Sequence, residues 1–319
     1  MARYLLLVHG HDFKPAADAL RASWLEALRW GLLRDAPSAL DRFDRIEHEL
    51  AYFGDCTNRL LREAGREFDE HLDVVDRGNS LSALKQLDEA KKFRRARYEK
   101  LPGKTSLKEF LADAGAPLSR ALRLSERVAA SLVPDFVAYW RDDQSYRTDV
   151  TERIARPLGA ALQRRDDIMV LSHCLGSMAA YDVFWRLSRS PDADTEIANA
   201  KVNSWVTVGS PLGNETVKDR LNGADQRGAP RYPRNVLNWY NIAAEDDFLA
   251  HDKGIADDYR AMLRYRLISR IQDFRIYNLS VRYGRSNPHC ALGYLIHPRI
   301  TKIITDWLCA DELTHGTRA

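Results

Sequence analysis

Short apolar runs closed by turn residues recur along the chain, and they alternate with stretches whose apolar positions return every three or four residues. The first run, "RYLLLVHG" at 3–10, is almost continuously apolar and ends in glycine, the pattern of a strand buried on both faces. Residues 17–33, "ADALRASWLEALRWGLL", then carry apolar positions at helical spacing. "RIEHELAYFG" (45–54) alternates polar and apolar residues and predicts a second strand. "DIMVLSH" (167–173) predicts a third, and the helical stretch 176–189, "GSMAAYDVFWRLSR", follows it almost at once. Runs over 201–213, 236–247 and 274–284 predict three more strands, and 298–308 a closing helix with Pro298 at its start, where the missing N–H costs little. Strands alternating with helices predict an α/β fold, a doubly wound and mostly parallel sheet covered on both faces.

The middle of the chain breaks this alternation. Between about Cys56 and Tyr146 no strand pattern occurs, and the charged stretch "LKQLDEAKKFRRARYEK" (84–100) and the longer 106–140 both read as helical. The expected organisation is therefore a core formed by 1–55 and 147–310, a helical cap inserted at 56–146, and a flexible tail at 311–319. Lys91, Lys92, Arg94, Arg95 and Arg97 read first as a solvated helix face and second as a place for peripheral lipid contact.

Composition narrows the classes. The chain has 319 residues with a net charge of +3, too small a bias to point to nucleic acid. No run approaches the roughly 20 apolar residues of a membrane span. The opening run is too short for a signal peptide, which leads to the expectation of a cytoplasmic protein. Cys56, Cys174, Cys290 and Cys309 show no CxxC or metal-like spacing and read as reduced thiols.

One of those cysteines sits where chemistry is expected. A nucleophile held above a sheet needs a sharp strand-to-helix turn with small residues two before and two after it. Ser172-His173-Cys174-Leu175-Gly176 has that layout, with Ser172 and Gly176 flanking Cys174. The helix beginning after Cys174 points its N-terminus at the thiol and leaves the Leu175 N–H free for an oxyanion. Ser172 and Ser177 are weaker nucleophile candidates, because Val170 and Leu175 stand two residues before them. The bland alternative is a buried core cysteine.

With this turn the chain resembles the α/β-hydrolase superfamily over residues 3–12, 45–55 and 148–309. Cys174 takes the place of the usual serine, as in dienelactone hydrolase, and Ser172 replaces the first glycine of the motif. The resemblance implies a triad in the order nucleophile, acid, histidine. In "AEDDFLAHD" it points to Asp247 as the acid, since 247–250 resembles the family's D-P-V-A, with Asp246 as the alternative. In "RSNPHCALGYLIHPRI" it points to His289 as the base, with His297 as rival and Cys290 as a packing residue. It also implies a second oxyanion donor in "VHGHD", the His11 N–H, with Gly10 keeping the approach open, while "VGSPLG" (208–213) resembles a family stretch that lines the pocket and is expected to serve in packing. His9 and His11 could instead suggest a metal site, but the sequence offers them no third ligand of clear spacing.

The expected function is hydrolysis of a small-molecule carboxylic ester or thioester through a Cys174–His289–Asp247 triad and an acyl-enzyme, without metal or cofactor. The alternative is a catalytically inactive relative that binds an acyl or lipid-like ligand or a protein partner. A cysteine is also what replacement of a native serine would leave, and mass spectrometry of protein from the native gene separates those cases.

Overall fold

Residues of β1 (Arg3–Val8) are divided strictly between two cores. Tyr4, Leu6 and Val8 join one buried cluster and Leu5 and Leu7 the other, as alternation along a strand requires. The computed structural model of the protein describes residues 2–103, 134–141, 144–190, 194–247, 249–250 and 254–310. After β1 come α1 (Ala17–Asp35), α2 (Leu40–Arg45), β2 (Glu47–Ala51), α3 (Gly54–Glu63), α4 (Glu70–Lys85), α5 (Arg95–Tyr98), α6 (Pro134–Tyr139) and α7 (Ser145–Arg164). The second half holds β3 (Asp167–His173), α8 (Leu175–Arg189), α9 (Thr195–Asn199), β4 (Val202–Val208), α10 (Glu215–Lys218), β5 (Val236–Ala244) and α11 (Arg260–Arg264). It closes with β6 (Arg270–Ile276), a small hairpin of β7 (Val281–Arg282) and β8 (Arg285–Ser286), α12 (Ala291–Leu295) and α13 (Pro298–Leu308).

The main sheet has six strands in the order β2-β1-β3-β4-β5-β6, and every pairing in it is parallel. Helices α7 and α8 pack on the face that carries Tyr4, Leu6, Ile168, Val170, Trp205 and Trp239. Helices α1, α12 and α13 pack on the face that carries Leu5, Leu7, Met169, Leu171, Val206 and Ile242. The α/β class and the parallel sheet covered on both faces are therefore as the apolar runs predict. The order reverses between β1 and β3: from β1 the chain winds outward to β2, and from β3 it winds the other way to β6. In open parallel sheets a crevice opens at such a reversal, outside the carboxyl ends of the strands.

Two predicted elements differ. The last strand spans Arg270–Ile276 rather than 274–284, because β6 is an edge strand whose polar residues Arg270, Gln272 and Asp273 hide its start. The backbone leaves the sheet after Ile276 and enters the β7–β8 hairpin, whose two-residue turn is Tyr283 (φ 49°) and Gly284 (φ 74°). The helix expected over 84–100 does not form. Helix α4 ends at Lys85, and the buried residues beyond it, Leu87, Phe93 and Tyr98, are spaced too irregularly for one helical stripe.

Among the described residues the 56–146 stretch contains no strand, and its helices divide between the two faces. Helices α3 and α6 add Cys56, Phe136 and Tyr139 to the α7–α8 side, whereas α4 and α5 add Leu81, Leu84 and Tyr98 to the other. Most of the predicted 106–140 helical stretch and the 311–319 tail lie outside the described residues. Two buried charge clusters fasten the helices from this stretch. Arg282 of β7 donates to Asp73 (2.6 Å) and to Asp76 of α4. Arg147 of α7 donates to Asp182 of α8 (2.7 Å), which also accepts from the Tyr139 hydroxyl of α6 (2.7 Å) and the Asn222 N–H (2.8 Å). Among the described residues no helix is long and apolar enough to cross a membrane.

Candidate active site

Strand β3 runs directly into α8 through Cys174, whose φ of 53° and ψ of −124° are unusual for a residue with a side chain. The turn is fixed by its neighbours. Cys174 donates its N–H to the Val208 carbonyl (3.1 Å) and its own carbonyl accepts from Ser177 (2.9 Å). It also needs glycine on both sides of the close approach to β1. A Cβ on Gly176 would lie 2.1 Å from the His9 carbonyl oxygen, and one on Gly10 would lie 2.7 Å from the Cys174 Cβ. The thiol is fully buried, at the reversal point of the sheet.

Asp247 follows β5, and its carboxylate is held at both oxygens. The Tyr294 hydroxyl donates to Oδ2 (2.5 Å), the Leu249 N–H donates to Oδ1 (3.1 Å), and His289 Nδ1 stands 3.0 Å from each oxygen. Tyr294 itself is fixed by accepting the Ala244 N–H (2.9 Å). Asp246 is turned away, with its carboxylate accepting from the Tyr98 hydroxyl at 2.9 Å. The pair at 246–247 is thereby resolved in favour of Asp247 as the histidine's partner. Phe248, inside the D-P-V-A-like stretch, lies outside the described residues.

His289 sits in the loop between β8 and α12, where Asn287 Oδ1 accepts its N–H (3.1 Å). A ring nitrogen of His289, one of His11 and the Cys174 sulfur all lie within 4.8 Å of one another. With Nδ1 taken by Asp247, Nε2 is the nitrogen left for the thiol, and it is buried without a hydrogen bond of ordinary geometry. Burial works against the imidazolium, but the Asp247 carboxylate and the Cys174 sulfur outweigh it and raise the His289 pKa well above its ordinary value. The rival His297 is elsewhere: it caps α13 by accepting the Arg299 N–H through Nδ1 (3.0 Å). Cys290 packs in the α12–α13 core, and all four cysteines are free thiols.

The loop after β1 is the fourth wall. Lys14 is buried, and its ammonium donates to the carbonyls of His11, Asp12 (2.8 Å) and Phe13 (3.2 Å), drawing the loop into a tight turn. Burial pushes this lysine's pKa down to about 8 although Asp12 and Asp135 oppose the shift. Asp135 of α6 accepts the Asp12 N–H (2.7 Å) and lies 3.8 Å from His11 Nδ1. Among the described residues no hydrogen bond engages the N–H of His11. The Leu175 N–H opens the first turn of α8, where N–H groups have no partner within the helix. The His11 and His9 side chains have different positions. His9 stacks on Phe53 at 3.7 Å, accepts the Phe53 N–H at Nε2 (3.0 Å) and so carries its proton on Nδ1, directed at the Gly10 carbonyl (3.0 Å). Burial holds its pKa well below the ordinary range.

Three further residues surround this cluster: Tyr294 and His173 have no signal in the one-dimensional pattern, whereas Gly209 lies in the "VGSPLG" stretch that the resemblance marks. Tyr294 anchors Asp247 from an apolar helix where tyrosine reads as core. His173 lies against the His289 ring at 4.5 Å and its Nε2 meets the His289 carbonyl at 2.9 Å, kept neutral by burial. Gly209, in the "VGSPLG" segment, has φ of 56°, and a Cβ there would meet Asp247 Oδ2 at 3.0 Å and the His289 ring at 3.2 Å. Ser172 and Ser177 face inward, 3.1 Å apart at their hydroxyls, and Ser172 also accepts the Trp205 indole N–H (2.9 Å). A cleft of about 450 Å3, lined by Arg165, Asp166, Lys201 and Asn203, lies at the opposite, amino-terminal end of the strands from Cys174. Compared with known protein families and with curated proteins, the chain matches none.

Proposed function

We propose that the protein is a hydrolase of the α/β-hydrolase type that cleaves a small carboxylic ester or thioester through Cys174, His289 and Asp247. The observation that carries this reading is the position of His289. Its Nδ1 is held symmetrically by Asp247, and the ring stands beside a thiol at a strained strand-to-helix turn. Asp247 fixes the tautomer that leaves Nε2 to take the Cys174 proton, and the imidazolium so formed is stabilised by the same carboxylate. The thiolate attacks the carbonyl carbon, the oxyanion accepts from the N–H groups of Leu175 and His11, and the leaving alcohol or thiol takes the proton back from His289. Water deprotonated by His289 then attacks the thioester, and the acid leaves as Cys174 recovers its proton.

The full burial of Cys174 favours a second reading, a non-catalytic protein that binds an acyl or lipid-like ligand. Hydrolysis of a chromogenic ester series, from acetate to long-chain, by the protein and by Cys174→Ala and Cys174→Ser separates the two. Loss of about a thousandfold or more in the alanine variant is expected. Activity that survives Cys174→Ala overturns the triad, and folded protein inactive on every ester selects the binding reading.

A further inference from the structure

The tertiary structure supplies what the HGH motif lacks on its own, a third metal ligand. Sequence places His9 and His11 together, but His9 spends both ring nitrogens on Phe53 and Gly10 and is out of reach. His11 instead meets Cys174 and His289, so two imidazoles and a thiol converge with their ligand atoms within 4.8 Å of one another. Each imidazole has a carboxylate behind it. Asp247 sits 3.0 Å from His289 Nδ1, which leaves Nε2 of that ring as the ligand atom, and Asp135 lies 3.8 Å from His11 Nδ1, near enough to become its partner on a small turn of the ring. A carboxylate behind a ligating histidine is the usual outer shell of a zinc site, where it fixes the tautomer and raises the basicity of the ligand. The Nε2 of His289 is buried and has no oxygen or nitrogen partner in hydrogen-bonding geometry, so the Cys174 sulfur is the neighbour it shares the cluster with.

We propose that His11, Cys174 and His289 form a binding site for a single Zn2+ ion, and that its occupancy masks the Cys174 nucleophile. One sulfur and two imidazole nitrogens suit zinc and exclude the oxygen-seeking Mg2+ and Ca2+. Zinc bonds of about 2.0–2.1 Å to nitrogen and about 2.3 Å to sulfur set tetrahedral ligand atoms roughly 3.3–3.6 Å apart. The ligand atoms, within 4.8 Å of one another in the observed cluster, draw in to that spacing as the ion binds. Three protein ligands leave a fourth position for water. The ion is coordinated by a thiolate and neutral imidazoles, so the proton shared by Cys174 and His289 leaves to solvent as the metal enters. The coordination stands independently of the acyl-transfer reading, whereas the masking of catalysis rests on it.

The test is a titration of the untagged, chelator-stripped protein with Zn2+ against a chromogenic zinc chelator, and with Co2+ followed by absorption. One equivalent per chain is expected, with a thiolate-to-cobalt charge-transfer band. Cys174→Ser should abolish the band while Cys56→Ser and Cys290→Ser keep it, and His11→Ala and His11→Gln should each weaken zinc binding at least about tenfold. Binding below one equivalent overturns the site, as does a band that persists in Cys174→Ser or an affinity unchanged in folded His11 variants. Ester hydrolysis is measured separately in excess chelator and again with added Zn2+. Activity in chelator that zinc fails to suppress overturns the masking, and absence of activity in chelator counts against the acyl-transfer reading while the substrate-free titration still decides the site.

Discussion

Cys174 holds a backbone conformation that costs a side-chain-bearing residue about 1–3 kcal/mol, with Gly10 packed against its Cβ and Gly176 packed against the His9 backbone. Alanine at Gly176 has no room, because the atom it would strike is the His9 carbonyl oxygen of the backbone itself. Gly176→Ala is expected to destabilise the protein by about 1–3 kcal/mol, read as a lower urea midpoint. A midpoint equal to that of the parent would mean the turn is looser than this packing implies. Tyr294 is a positioning residue of the same cluster. Tyr294→Phe removes the donor to Asp247 and leaves the buried Ala244 N–H unsatisfied, for about 1–3 kcal/mol of stability. If Asp247 orients His289, kcat in this variant falls about tenfold with little change in KM, while Asp247→Asn, which disturbs the tautomer itself, falls much further. A Tyr294→Phe variant with unaltered kcat would remove Tyr294 from the proposed site. The sequence favours Asp247 through its D-P-V-A-like stretch but keeps Asp246 as the alternative. Their separation came from Tyr98, almost 150 positions away, which captures one of them.

Between elements, the decisive contacts are charge clusters that no periodicity shows. Asp182 is fully buried in α8, and burial raises its pKa although Arg147 opposes the shift. The same carboxylate ties α6, α7 and the Asn222 loop to α8. Arg147→Ala leaves that charge without its partner and is expected to cost about 3–5 kcal/mol, seen in thermal or urea unfolding. Adding Asp182→Asn to the Arg147→Ala background should restore part of the loss, and a double variant no better than the single one would argue that packing and not charge dominates. The strands most legible in the sequence, β1 and β3, are those buried on both faces. The start of β6 is hidden because an edge strand shows only one apolar stripe, and the 84–100 stretch reads as helical because its basic residues have good helix propensity, while its buried apolar residues Leu87, Phe93 and Tyr98 enter the core on the α1–α12–α13 side at irregular spacing.

For the molecule as a whole, buried neutral histidines set the response to acid. Burial lowers the pKa of His9 and His173 well below 6.5 and that of His297 from 6.5 to about 3. A histidine depressed in the folded state takes up its proton only on unfolding, so its favourable contribution is present above pH 6.5 and is lost as pH falls toward the folded value. For His297 the window runs from pH 6.5 down to about 3, with about 1.4 kcal/mol lost per pH unit. His289 has the opposite sign: its proton favours the folded state fully below pH 6.5, and that contribution is lost as pH rises through its raised folded value. His297→Asn keeps an acceptor for the Arg299 N–H and should flatten the decline of the urea midpoint between pH 6.5 and 4. An unchanged decline would show that His297 is protonated without penalty. By itself, the sequence determined the alternation of buried strands and helices, the parallel α/β class and the small–x–Cys–x–Gly turn, because each follows from side-chain periodicity and backbone sterics within a few residues. Only the tertiary structure decided that Asp247 rather than Asp246 faces His289, that His11 rather than His9 joins Cys174, and that Tyr294, His173 and Gly209 enclose them. Those choices depend on which distant loops the sheet order brings to one end of β1, β3 and β5, and local pattern carries no record of that.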